Sequence, residues 1–367
     1  MCVLSLIIGG CQTTPQQHVH HGSRAIVPGE RIKIGVMLPL TGPHSKIGLD
    51  LQRATTLSLL ESGAQNIALL YRDTQGVAEH AIVAAKELMQ DKVHLIIGPL
   101  FSGTTAAVHN LLRREGVPIL SFSSDFAIAG GGVYLMGFDP AEQMRQIILY
   151  GHVHHKRDPI ILVPEGPLVE RAEVALAGLH SRGVADGAKI IHYKKGDIEG
   201  LKALAERLKT LRFTTLLLPD GQAAVSIVSS LLYYHVHLKE VQLLGSAQWH
   251  GKELSKDPNF FNALYPAPND KDRRAFESRF EMLMGHPPHR LASLAYDAVA
   301  MVTTLAQRYP EQPYSLMNLT HETGFLGLDG LFRFLGSGTN ERGLSIYEVT
   351  PAGIKERQAS PRKFRRR

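Results

Sequence analysis

The chain has 367 residues, 44% of them hydrophobic and 20% charged: enough apolar material for two domains, and the wrong composition for a disordered chain or long coiled coil. Its net charge of +6 is concentrated at the end, in Arg362, Lys363, Arg365, Arg366 and Arg367. The remaining body is nearly neutral and lacks the basic face, interleaved with aromatics, that a nucleic-acid-binding domain presents.

At the start, Val3 to Ile8 is apolar, Gly9 and Gly10 follow, and then comes Cys11. Ile8-Gly9-Gly10-Cys11 resembles a bacterial lipobox, which implies cleavage before Cys11, diacylation of its thiol and a firm membrane anchor. Residues 12–30 are rich in Gln, Thr, Pro, Gly and His and read as a flexible tether. The only other cysteine is Cys2, so the body holds no disulfide, thiolate metal site or catalytic thiol.

From Arg31 onward short apolar runs alternate with helical periods. Strands are expected at 32–38, 67–71, 95–97 and 118–122, with helices at 46–60, 77–88 and 104–114 between them. The rhythm restarts after Gly151, with strands at 160–163, 189–193, 215–218 and 241–245. Helices are expected at 169–179, 198–211 (N-capped by Asp197) and 222–235. A charged helix at 271–284 and a long helix at 292–306 follow. Leu331–Leu335 and Leu344–Val349 flank the polar stretch Gly336–Gly343 and read as a β-hairpin. Strands separated by helices predict an α/β fold, here with two doubly wound parallel-sheet lobes. The longest uncharged run, Gly221–Leu238, is too polar for a membrane span.

Ile34–Gly48 (IGVMLPLTGPHSKIG), Leu95–Gly103 (LIIGPLFSG), Pro118–Ser124 (PILSFSS) and Leu294–Val299 (LAYDAV) occur in an order familiar from one family. Together they resemble type 1 periplasmic binding proteins of the leucine/isoleucine/valine-binding class, over roughly Arg31 to Val349. Tyr71–Thr74, Tyr134–Phe138 and Asp329–Phe334 resemble, more narrowly, the penicillin-binding protein activator lipoproteins. The resemblance implies two lobes joined by a hinge of three crossings, near Asp139, Gly285 and Gly324. Residues 31–139 and 286–324 would form the first lobe. Residues 140–285 and 325–355 would form the second, with 1–11 as signal segment and 356–367 as a basic tail.

Ligands of such sheets bind beyond the carboxyl ends of the strands. Thr41, Phe101, Ser102, Ser123, Ser124 and Asp125 lie there in the first lobe. Phe101-Ser102-Gly103-Thr104 opens a helix, where free N–H groups and the Ser102 hydroxyl favour a carboxylate. The family places an amino-acid carboxylate at this position, and Ser123 and Ser124 match its second loop. Ser102 and Ser123 also read as ordinary cap and turn residues. An ammonium would need a carboxylate, and Asp125, Glu165 and Asp220 are the candidates. Asp220 can equally be an N-cap, and Trp249 either lines or plugs the cleft. Pro164-Glu165-Gly166-Pro167 stands where an amino-acid binder commonly offers a tyrosine.

His18-Val19-His20-His21 and His152-Val153-His154-His155 lack the neighbouring cysteines or spaced carboxylates of a built metal site. No G-x-S-x-G, P-loop or H-E-x-x-H occurs, so neither enzymatic activity nor a cofactor is expected. Two functions compete. One is capture of a small polar ligand such as an amino acid by a periplasmic lipoprotein, which the resemblance sorts to the outer membrane because Gln12 rather than Asp follows Cys11. The other is regulation of a peptidoglycan synthase through protein contact.

Overall fold

The computed structural model describes residues 24–27, 29–154 and 159–364. Cys11, the first histidine cluster, His155 and Arg365–Arg367 lie outside the described residues.

The first lobe is laid down as β1 (Ile32–Leu38), α1 (Ser45–Ser62), β2 (Ile67–Asp73), α2 (Ala78–Gln90), β3 (Leu95–Ile97), α3 (Ser102–Leu112), β4 (Ile119–Ser121) and β5 (Val133–Leu135). Its strands are parallel in the order β2-β1-β3-β4-β5. Side-chain alternation splits β1: Ile32, Ile34, Val36 and Leu38 enter one core layer, and Met37 the opposite one. Leu51, Ala54 and Leu57 of α1 cover the first face, while Ala81, Ala85 and Leu88 of α2 cover the second. Gly48 lets α1 approach the loop after β1, since a Cβ there would lie 2.0 Å from the Pro39 carbonyl oxygen.

The second lobe begins with α4 (Pro140–Val153), β6 (Ile160–Pro164), α5 (Pro167–His180), β7 (Lys189–Tyr193) and α6 (Ile198–Lys209). It continues with β8 (Thr215–Leu217), α7 (Ala224–Tyr233), β9 (Gln242–Leu244) and β10 (Leu264–Ala267). The parallel order β7-β6-β8-β9-β10 repeats the topology of the first lobe. Ile160 and Leu162 face the α6–α7 side, and Ile161 and Val163 face α4 and α5. Helices on both faces of each parallel sheet make the fold doubly wound, as expected.

The chain then returns to the first lobe through α8 (Lys271–Met284), α9 (Ala292–Arg308) and α10 (Leu316–Leu319). Leu294, Ala298, Val302 and Leu305 of α9 share a core layer with α1, and Ser58 donates to the Tyr296 carbonyl (2.9 Å). Phe276 and Phe280 of α8 enter the same layer, so residues 271–285 do not belong to the second lobe as expected. The chain crosses before α8, because this helix buries its aromatic face against Tyr296 rather than against β10.

The C-terminal elements are β11 (Phe325–Gly327), β12 (Gly330–Phe334), β13 (Asn340–Arg342), β14 (Ser345–Thr350) and β15 (Gly353–Gln358). The expected hairpin between 331–335 and 344–349 does not form. Instead β12 pairs with β11 and β13 in a small antiparallel sheet. That sheet joins the first lobe: Phe332 and Phe334 enter its core, and Asn340 Nδ2 donates to the Leu135 carbonyl (2.6 Å). The third crossing therefore follows β13, not Gly324. The hairpin is β14–β15, which adds antiparallel strands to the second sheet through β10. Residues 356–358 are strand rather than tail. Beyond them Phe364 lies under the Arg333 guanidinium, 4.4 Å from its ring centroid, tying the chain end back to the small sheet.

Among the described residues no helix is long and apolar enough to cross a membrane.

Candidate ligand-binding cleft

The carboxyl ends of the two parallel sheets meet at the first crossing. Arg171, near the start of α5 in the second lobe, forms an ion pair with Asp139 (2.8 Å). The same guanidinium lies 5.3 Å from the ring centroid of Phe126, which follows β4 in the first lobe. Asp139 caps α4 by accepting from Ala141 N (2.9 Å). Burial raises the Asp139 carboxyl above its ordinary value, and Arg171 opposes that shift.

On the first-lobe wall, Thr41 donates its hydroxyl to Asp73 Oδ2 (2.5 Å). Asp73 Oδ1 also accepts from the backbone of Leu40 (2.8 Å), Thr41 (3.3 Å) and Gln75 (2.8 Å). Burial works against ionisation here, but these donors hold Asp73 below the ordinary carboxylate range. Thr41 is therefore engaged in shaping the loop.

Phe101 stands at the N-cap of α3, and its carbonyl accepts from the Thr104 and Thr105 hydroxyls (2.8 and 2.9 Å). Its ring rests against His44, with centroids 4.7 Å apart. Ser102 opens α3, and its side chain is exposed. This helix N-terminus has no side-chain cap, which leaves its first backbone N–H groups to solvent or a ligand.

Ser123 is buried, and its hydroxyl accepts from Asp125 N (3.0 Å), which makes it a turn residue. Ser124 is exposed beside it. Asp125 is exposed and caps the short turn that follows, accepting from Ala127 N (3.1 Å).

On the second-lobe wall, Glu165 is solvent-exposed and 3.8 Å from His192 Nδ1. Asp220 is buried, and its Oδ2 lies 2.7 Å from Lys195 Nζ while Oδ1 accepts from Gln222 N (3.0 Å). Tyr193 is a further hydrogen-bonding neighbour, its hydroxyl pushed up by burial and by Asp220. Asp220 is thus one half of an ion pair and a turn residue, not the expected N-cap: α7 starts behind Ala223 with no side-chain cap.

Trp249 does not line the cleft. It is 1% exposed, packs edge-on to Phe260 with centroids 5.3 Å apart, and belongs to the core of the second lobe. Gly245 makes room for it, since a Cβ there would lie 2.2 Å from the indole.

Ser102 and Asp125 share one wall, Glu165 and Asp220 the other. Lys195 and Asp73 were not singled out by sequence reasoning. Lys195 lies in the run Lys194-Lys195-Gly196-Asp197, which reads as a solvated turn, and its partner lies two strands away.

Among the described residues no three His, Cys, Asp or Glu side chains converge to hold a metal ion. His152 and His154 lie on or just after α4, with His154 against Tyr150 (4.4 Å between centroids).

The fold resembles solved structures along nearly its whole length. A Rhodospirillum rubrum protein described as a branched-chain amino acid ABC transporter aligns over 89% of this chain and 99% of its own, with 18% identity and a TM-score of 0.74. The substrate-binding protein LivJ of Streptococcus pneumoniae, solved with isoleucine, aligns over 90% of this chain and 100% of its own, with 19% identity and a TM-score of 0.58. An uncharacterized protein of Rickettsia prowazekii, RP748, is 27% identical over 138 residues, which span 37% of this chain and 36% of that protein. The family model for periplasmic binding proteins matches residues 31–354, which takes in both lobes and all three crossings, and the chain belongs to that family.

Proposed function

We propose that this is a solute-binding protein of the periplasm whose lobes close on a small carboxylate-bearing molecule, an amino acid or an organic acid of similar size. The observation that carries the reading is the uncapped start of α3, with Ser102 free beside it at the cleft. Unsatisfied N–H groups and the helix dipole attract a carboxylate there, and the hydroxyl adds a donor. LivJ, which shares the fold, was solved with isoleucine, an amino acid carrying such a carboxylate. Cys11 supplies the lipid anchor, most simply to the outer membrane; the tether expected over residues 12–30 ends earlier than that, because Ile26 is buried in the first-lobe core and its N–H donates to the Glu311 carbonyl (2.9 Å).

The test is a thermal-shift screen of amino acids and small organic acids. A ligand at 100 times its Kd adds about 2.7 kcal/mol of stability. One compound should raise the midpoint, and Ser102→Ala should weaken its binding. A screen without any shift contradicts the reading.

Regulation of a peptidoglycan synthase is the alternative. The runs that carried that resemblance have structural roles: Arg72 pairs with Asp91, Tyr134 packs on Phe334, and Asp329 accepts from Ser293. Pull-down of a synthase by the lipidated protein, combined with an empty ligand screen, would favour it.

A further inference from the structure

We propose that Lys195 sets the ligand class, so that the cleft takes a small organic acid without an ammonium group. The proposal rests on the cleft reading above.

An ammonium carried into a closing cleft loses hydration worth several kcal/mol. It needs a shielded carboxylate with free lone pairs. Among the described residues, the shielded carboxylates beyond the carboxyl ends of the parallel strands are Asp73, Asp139, Asp220 and Asp270. Asp73 is filled by the Thr41 hydroxyl and three backbone N–H groups. Asp139 is held by Arg171, and Asp270 by Arg274 (2.6 Å) and His250 (3.2 Å). Asp220 Oδ1 accepts from Gln222 N, and Oδ2 makes no hydrogen bond but already has its charge met by Lys195 at 2.7 Å. Asp125 and Glu165 are exposed, and carboxylates in water give an ammonium little.

The same pair turns the second wall from acidic to cation-bearing. Lys195 follows β7 and Asp220 follows β8, and β6 lies between those strands. The lysine therefore reaches over the end of β6, anchored by Asp220, with its side chain still 58% exposed. An ammonium carries three donors, and its 2.7 Å contact with Asp220 is an ion pair without hydrogen-bond geometry. Its donors are left for an acceptor oxygen of the ligand. With α3 favouring an anion on the opposite wall, both walls select for acceptors and neither offers an ammonium its partner.

The experiment compares matched pairs with the same carbon skeleton: leucine with 4-methylpentanoate, phenylalanine with 3-phenylpropanoate, and glutamate with glutarate. Affinities are measured by calorimetry and thermal shift for wild type, Lys195→Met, Lys195→Arg and Ser102→Ala, with circular dichroism as the check on folding. In wild type the simple acid of at least one pair should bind and its amino-acid partner should bind at least about tenfold more weakly, the value of one charge-assisted hydrogen bond. Lys195→Met should reverse that preference by uncovering Asp220, and Lys195→Arg should keep it. An amino acid that binds wild type as tightly as its acid overturns the proposal while leaving the cleft reading intact. So does an acid whose binding needs Ser102 and ignores Lys195→Met. No binding by any pair overturns both.

Discussion

Arg171 of α5 and Asp139 of the first crossing form a two-pronged ion pair, Nε to Oδ1 at 3.2 Å and Nη2 to Oδ2 at 2.8 Å. Both side chains are largely buried, at 13% and 6% exposure. Arg171→Ala leaves a buried carboxylate without its cation, and the expected loss is about 3–5 kcal/mol. In that variant the folded-state carboxyl rises further above its unfolded value. Its stability should therefore fall as pH rises through the acidic range, a trend that urea midpoints across pH will reveal.

Asp297 of α9 is a second buried carboxylate. Burial pushes it up to about 7, Asp329 adds to the rise, and Leu328 N (2.8 Å) and Arg342 oppose it. The folded protein thus binds a proton that the unfolded chain releases near pH 4. Stability from this group is full below pH 4 and is lost as pH rises towards about 7. Asp297→Asn should remove that part of the pH dependence, measured by denaturation between pH 4 and pH 8. A variant with the wild-type slope would show that Asp297 is not the group responsible.

Gly245→Ala should destabilise the second lobe by about 1–3 kcal/mol, because its Cβ would meet Trp249 at 2.2 Å. Trp249 is the chain's single tryptophan, so its fluorescence reports on this core alone. A red-shifted emission and an earlier unfolding midpoint are expected.

Phe364→Ala should loosen the small sheet. The contact with Arg333 is worth about 0.5–1 kcal/mol, too little to move global unfolding far. Ser360 N also donates to Ser345 Oγ (2.9 Å), so the chain end runs from the second lobe's hairpin onto strands held by the first lobe. Hydrogen exchange in β11–β13 should accelerate, and unchanged exchange would show that the strap carries no restraint.

Most of the parallel strands were legible in the sequence because each is a short apolar run between helical periods, as in Ile32–Leu38 and Lys189–Tyr193. The small sheet was not, because β13 is Asn340-Glu341-Arg342 and carries no apolar signal. Its burial is bought by long-range polar contacts: Arg342 Nη2 to the Met136 carbonyl (2.6 Å), and Asn340 to Leu135. β10 was missed because Pro266 sits inside it, and proline argues against a central strand. At the site, Ser102 was legible as the residue opening a helix after a strand. The Lys195–Asp220 pair was not, since only the sheet order brings the ends of β7 and β8 together.

The central claim is that the lobes close on a small ligand, and the interlobe distance tests it most directly. With Cys2 and Cys11 replaced by serine, the chain has no other cysteine, and spin labels can be placed at Leu60→Cys on α1 and Ile198→Cys on α6. Both positions are exposed, at 73% and 70%. Pulsed electron resonance should show the distance distribution shifting and narrowing when the compound selected by thermal shift is added, and reverting with Ser102→Ala at the same concentration. A distribution unchanged by a compound that calorimetry shows to be bound would contradict the account.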